Sequence, residues 1–213
     1  MNKLYNFDSS LKKEKRINII AGFDEAGRGP LAGPVFVAGV ILKPGFNNED
    51  INDSKKLTSK KREYLFDLII NNSIAYSIKQ IDVETIDKIN ILEASRLGMQ
   101  LCYEELEKFF HIDLAITDYM KIKTKCELIS LAKGDQTSFA IASSSILAKV
   151  SRDRFMAKLG EKYPNYGFES NKGYGTKSHI EAIKKYGVID KVHRKAFEPI
   201  KTIVNQKNEI KLF

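Results

Sequence analysis

Apolar and polar positions follow two different rhythms along this chain. Near the start, apolar side chains run almost unbroken through "INIIAGFD" and "PVFVAGVIL", with a Gly/Pro-rich link between them. Runs of that length, rich in β-branched residues and bounded by turn formers, predict two strands, and the short link predicts an antiparallel hairpin. "IAYSIKQI" alternates like a third strand, and "DLAITD" and "CELISLA" read as two more. Elsewhere the period lengthens to that of a helix. Thr58 is a candidate N-cap for a helix reaching about residue 71, with Leu65, Leu68 and Ile69 on one face. Further helices are predicted over 83–88, 91–109, 138–159, 178–187 and 192–203, whereas the polar residues 1–16 read as a frayed or loosely docked start. Early strands followed by strands alternating with helices give an α/β fold, a mixed five-stranded sheet flanked by helices. The expected division is an N-terminal extension (1–17), a core (18–160) and a helical C-terminal extension packed on that core (161–213).

Three positions break the pattern with acids. Asp24 and Asp118 each close an apolar strand, and Glu25 follows the first. Strand ends are where open α/β sheets build sites. Asp153 falls, at about 100° per residue, inside the apolar stripe of Phe139, Ala142, Ile146, Val150 and Ala157, with Arg152 and Arg154 on either side. A carboxylate turned coreward needs a cation or hydrogen-bond donors. If Asp24, Glu25, Asp118 and Asp153 converge, they cannot all stay ionised without a divalent metal, and hard oxygen ligands suit Mg²⁺ or Mn²⁺.

Charge adds a partner to this picture. The 213 residues carry 35 Lys+Arg against 27 Asp+Glu, a net charge of +8, which favours a polyanion. With metals offsetting the acids, a basic protein of this kind points to two-metal phosphoryl chemistry on nucleic acid. "GRGPLA" formally matches a dinucleotide fingerprint, but a strand follows it where a helix is required. It reads better as a loop, Gly27, Arg28 and Gly29, whose backbone touches a ligand closely while Arg28 meets a phosphate. Lys55 and Lys56 in "DSKKL" suit phosphates, and Tyr174, between two glycines in "KGYGTKSH", suits base stacking. His179 reads as a structural residue bonding that loop. The two cysteines and three histidines suggest no zinc site. No signal-peptide pattern is evident, and no apolar run nears the roughly 18 residues of a membrane span. A cytoplasmic protein, monomeric by default, is expected.

"DEAGRGPLAGPV" (24–35), "DSKKL" (53–57), "KGDQTSFAIASSSILAKVSRDR" (133–154) and "NKGYGTKSH" (171–179) together resemble the ribonuclease HII family, the type 2 ribonucleases H, in that family's order. The resemblance implies a ribonuclease H-like fold with a helical C-terminal extension. It implies an endonuclease that cuts the RNA strand of RNA/DNA hybrids and nicks 5′ of single ribonucleotides in duplex DNA, leaving 3′-hydroxyl and 5′-phosphate ends. The family's metal-binding acids fall on Asp24, Glu25, Asp118 and Asp153, with two divalent ions in the active state. Its junction-sensing turn falls on Gly27, Arg28 and Gly29, and its stacking tyrosine on Tyr174. Two departures stand out. Tyr119 follows the third acid where the family often has glycine, and Ser143 and Ser144 occupy positions where alanines are common. The alternatives are a ribonuclease HIII-like hybrid nuclease, which usually lacks the G-R-G turn, and a non-catalytic nucleic-acid-binding module. The terminal "EIKLF" (209–213) resembles the short peptide by which bacterial replication proteins hold the sliding clamp, with Glu209 in place of the usual Gln.

Overall fold

The computed structural model describes residues 2–210, and the side chains of all of these except Lys56 and 207–210. The apolar stretches form the five expected strands: β1 (Ile20–Ala26), β2 (Val35–Leu42), β3 (Ser73–Ile81), β4 (Leu114–Asp118) and β5 (Glu127–Leu131). Their order across the sheet is β3-β2-β1-β4-β5. β1 and β2 pair antiparallel as a hairpin, while β1–β4 and β4–β5 are parallel, so the sheet is mixed.

Helices α1 (Lys3–Lys15), α2 (Ser59–Asn71), α3 (Val83–Ile89), α4 (Ile91–Glu107), α5 (Phe139–Lys162), α6 (Phe168–Asn171), α7 (Lys177–Tyr186) and α8 (Ile200–Ile210) complete the fold. Thr58 caps α2 through its hydroxyl, as the sequence suggests. No helix among the described residues is long and apolar enough to cross a membrane.

The chain makes two compact units. The first comprises Met1–Ala26, Phe36–Gln80 and Ser95–Ser151; the second comprises Gly27–Val35, Ile81–Ala94 and Arg152–Phe213. In the first unit the two-residue strand period sorts side chains to the two faces of the sheet. Ala38 and Val40 pack with Leu65 and Ile69 of α2 and Ile146 of α5. Ala21, Phe23, Val37 and Ala115 pack with Met99, Cys102 and Leu106 of α4. Gly22 faces α5 so closely that a Cβ there would fall 2.3 Å from the Ala140 carbonyl carbon. Asp24, two residues on, points to that same helix. The second unit has its own core, in which Leu31, Ala32, Met156, Phe168 and Ile183 meet.

Two expectations fail. The N-terminus is not frayed: α1 is capped by the Asn2 side chain and buries Leu4 and Asp8. Asp8 accepts a hydrogen bond from the Ala140 backbone N–H at 2.8 Å, at the start of α5. A carboxylate there meets the unsatisfied amides and positive dipole end of a helix. Toward the C-terminus, the helix expected over 192–203 begins only at Ile200. The preceding residues are held as irregular backbone, with His193 opposite Ala32 in an isolated bridge.

Burial pushes the Asp8 carboxyl up from 3.8 to about 6. The folded state therefore binds this proton more tightly than the unfolded state. Its contribution is fully present below pH 4 and is lost as pH rises through 6, at most about 3 kcal/mol in all. Asp8→Asn, which keeps an oxygen to accept from Ala140, is expected to exceed the parent in unfolding free energy at pH 7.5. The two should converge near pH 4; urea denaturation across that range checks this.

Candidate active site

In the first unit the acids collect at the strand ends. Asp24 closes the apolar part of β1, is 5% exposed, and bonds the Ser145 hydroxyl of α5. One of its oxygens also accepts from the Glu25 backbone N–H at 2.7 Å. Burial raises the Asp24 carboxyl well above the ordinary range, and the negative charges of Glu25 and Asp118 push the same way. Asp118, at the end of the adjacent parallel strand, accepts from the Gly134 N–H at 2.9 Å.

A fifth acid, Asp135, joins this group and went unassigned at the sequence level, although it lies in the "KGDQ" stretch. It is buried and pairs with Lys55 at 3.4 Å. Burial raises its carboxyl despite that partner, with Asp53 and Asp118 adding to the effect. Partial burial opposes charge on Lys55, but Asp135, Asp53 and Asp24 outweigh it and raise the ammonium. Lys55 thus stands exposed beside the acids. Lys56, its predicted companion, has its side chain outside the described residues.

Among the described residues no three acid, His or Cys side chains already form a metal-ligating cluster. The donor set nevertheless fits a hard divalent ion. It is all oxygen, partly desolvated, and shares a negative charge excess that a cation would relieve.

Asp153 departs from the expectation. It is half-buried, while its neighbour Arg152 is the fully buried residue of that stretch of α5, at 1% exposure. Of the expected stripe Phe139, Ala142, Ile146 and Val150 are buried, whereas Ala157 is, like Asp153, only half-buried. The cause is hydrogen bonding rather than hydrophobicity. Arg152 donates from Nε to the Pro34 carbonyl (3.1 Å), from Nη1 to Lys172 (2.9 Å) and from Nη2 to Ala32 (3.0 Å). Ser143 and Ser144, where alanine is common, are buried and bond carbonyls of their own helix.

The glycine-arginine turn lies in the second unit beside a second buried arginine. Arg194, fully buried, donates from Nη2 to Gly27 O (2.6 Å), from Nη1 to Arg28 O (2.8 Å) and from Nε to Gly33 O (2.9 Å). Burial lowers Arg152 to about 10 and, with repulsion from Arg152, Arg194 to about 9; both remain charged at neutral pH. In a trans peptide the N–H points opposite to the C=O. The N–H groups of Arg28 and Gly29 therefore face away from the Arg194 guanidinium, at residues that are themselves exposed. Tyr174, half-exposed, has its ring 3.7 Å from where a Gly29 Cβ would lie. His179 holds that tyrosine, its Nδ1 being 2.8 Å from the Tyr174 carbonyl, as the structural reading expects. Its Nε2 meets His193 Nε2 at 3.2 Å. Burial, then the neighbouring His179, pushes His193 down to about 4, and burial lowers His179 as well. Arg194 and His193 carried no periodic signal in the sequence; the carbonyls that Arg194 satisfies and the His179 ring that His193 meets reveal them.

The Ribonuclease HII family model matches residues 21–200. A ribonuclease HII of Acholeplasma laidlawii is 49% identical over 193 residues, covering 91% of this chain and 94% of its own. The ribonuclease H2 of Pyrococcus horikoshii superposes with a TM-score of 0.77 at 24% identity, covering 90% of this chain and all of the other. The ribonuclease HII of Archaeoglobus fulgidus, solved in complex with PCNA, gives a TM-score of 0.67 at 26% identity over 87% of this chain and 95% of the other.

Gly27 has φ +101°, and a Cβ there would lie 2.0 Å from Arg152 Nε. Gly45 has φ +78° with nothing within 4 Å. Gly45→Ala should therefore cost only the left-handed strain, about 1 kcal/mol. Gly27→Ala should cost about 2–4 kcal/mol, because it also displaces a buried guanidinium. Paired denaturation curves of the two variants check the difference.

Proposed function

The chain belongs to the ribonuclease HII family and is a ribonuclease H acting on RNA/DNA hybrids; from that premise we propose that it also nicks 5′ of single ribonucleotides in duplex DNA, by two-metal hydrolysis. The observation that carries this reading is the Gly27–Gly29 turn. Its carbonyls are held from inside by Arg194, it lies against Tyr174, and it begins two residues after Glu25.

Asp24, Glu25 and Asp118 would hold the ions, with Asp153 as fourth ligand by its place in the family motif. When bound, a pair of Mg²⁺ or Mn²⁺ ions supplies activation of the attacking water and stabilisation of the leaving 3′ oxygen. The protein's own groups bind and orient the strand. Lys55, held by Asp135, meets a backbone phosphate. Tyr174 stacks on a base or sugar face. The outward N–H groups of the turn inspect the ribose while the Arg28 side chain meets a phosphate, so a 2′-hydroxyl aligns the scissile phosphate and a deoxyribose does not. The products carry 3′-hydroxyl and 5′-phosphate ends. The non-catalytic binding module has no use for acids at two strand ends, one of them, Asp24, buried.

Partner contact is proposed only at the tail. "EIKLF" resembles a clamp-binding peptide, and the Archaeoglobus relative is seen with PCNA. Leu212 and Phe213 lie outside the described residues. Removing 209–213 should abolish pull-down by a bacterial sliding clamp; unchanged capture dismisses the contact.

A duplex with one embedded ribonucleotide, run beside the all-DNA duplex with Mg²⁺ or Mn²⁺, is expected to give a metal-dependent 5′ nick only in the former. Asp24→Asn should lower the rate on the order of 10³-fold or more, since ligand loss forfeits several kcal/mol of charge stabilisation. Cutting of a long hybrid with no nick at the single ribonucleotide would leave the acids intact as catalysts and refute the junction-reading turn.

A further inference from the structure

Two consecutive residues, His193 and Arg194, reach in different directions. Arg194 takes the carbonyls of Gly27 and Arg28. His193 reaches Tyr174 through one intermediary, and the hydrogen bonds fix the direction of that relay. The Ile189 backbone N–H donates to His193 Nδ1 at 2.8 Å, so the His193 proton is on Nε2. Nε2–H then donates to His179 Nε2 at 3.2 Å, which places the His179 proton on Nδ1, where it is donated to the Tyr174 carbonyl at 2.8 Å. Both imidazoles are fully buried and lie 5.4 Å apart, stacked at 30°. The backbone closes the frame: Arg194 N–H donates to Leu31 O and Leu31 N–H to Gly173 O, each at 2.8 Å.

We propose that His193 and Arg194, with His179 as relay, form a bracket that sets ribonucleotide specificity by fixing the spacing between the Gly27–Gly29 turn and Tyr174. This rests on the reading of the turn and Tyr174 given above. A 2′-hydroxyl is one oxygen, and it is distinguished from hydrogen only if the surface that stacks on the nucleotide and the amides that test its sugar cannot slide past each other. Neither Arg194 nor the two histidines touches substrate in this scheme; they are positioning residues. Arg194 is a fork that orients two successive peptides, which a lysine's single ammonium cannot reproduce.

The test uses the full chain and two substrates, a duplex with one ribonucleotide and a long RNA/DNA hybrid, with kcat and KM measured separately. Arg194→Lys and His179→Gln are each expected to lower the ratio of kcat/KM, single ribonucleotide over hybrid, tenfold or more, chiefly through kcat. His179→Asn, whose amide N–H can replace Nδ1–H toward the Tyr174 carbonyl, should recover most of that ratio. The double variant Arg194→Lys with His179→Gln should be little worse than the poorer single, because both break one bracket. A parallel fall on both substrates, or an unchanged ratio, overturns the proposal. If Arg194→Lys does not fold, the His179→Gln and His179→Asn pair decides alone. The parent enzyme separates the premises: if it cuts the long hybrid but not the single-ribonucleotide duplex, the turn does not read the sugar and both ideas fall. If it nicks the single ribonucleotide and the bracket variants keep its ratio, the turn stands and the bracket is wrong.

Discussion

Two guanidinium groups with almost no solvent contact hold a stretch of backbone that has no regular secondary structure of its own. Arg152 and Arg194 donate to Gly27, Arg28, Ala32, Gly33 and Pro34, and Arg152 adds Lys172. Burying a cation is costly. Leaving five carbonyls of an irregular segment unsatisfied is costly too, and one fork answers three of them at once. Burial first, and repulsion from Arg152 second, lower Arg194, and that is the residual cost of the arrangement. The return is orientation: carbonyls turned inward leave the amides of exposed residues turned outward. A turn built only on its own internal hydrogen bonds would have no reason to present that face.

The acids of the first unit show the opposite electrostatic state. Asp24 and Asp135 are both raised, each by burial first and by like charges next. Protein groups temper but do not cancel this: Ser145 and the Glu25 amide for Asp24, Lys55 for Asp135. Such a cluster is poised to accept positive charge, whether a proton, an ammonium or a metal ion. Strand alternation places it there. Gly22 admits α5 to the sheet, and two residues later the same face brings the Asp24 carboxylate to Ser145. The packing of the sheet and the desolvation of the acid therefore have one cause.

What could be read from the sequence was what repeats or what glycine marks. Five strands, the β1–β2 hairpin and the acids at strand ends follow from period and position, and the G-R-G turn from its glycines. What escaped depends on a single polar contact with no period. Helix α1 looks like a solvated tail because its mean polarity is high, yet Asp8 and Leu4 dock it. The helical wheel put Asp153 coreward by angle alone; the structure leaves it half-buried, and Arg152 is the residue that goes in. The segment before α8 has helical composition, but His193 and Arg194 are spent on ring and carbonyl contacts that a helix starting at 192 would not preserve.

Tyr119 tests how tightly the third acid is specified. The family often places glycine after this acid, and the structure shows why: Tyr119 has φ +56°, a left-handed conformation that costs a non-glycine residue about 1 kcal/mol or more. The chain accepts that cost because neighbours fix the backbone independently of the side chain. The Tyr119 N–H donates to Leu131 O at 2.9 Å, and the buried Thr117 hydroxyl donates to the Met120 carbonyl. The ring itself is 70% exposed and fills no core space. The geometry around Asp118 is thus imposed by the β4–β5 pairing and the turn after it, so glycine at 119 is a convenience for the backbone and the acid keeps its place without it.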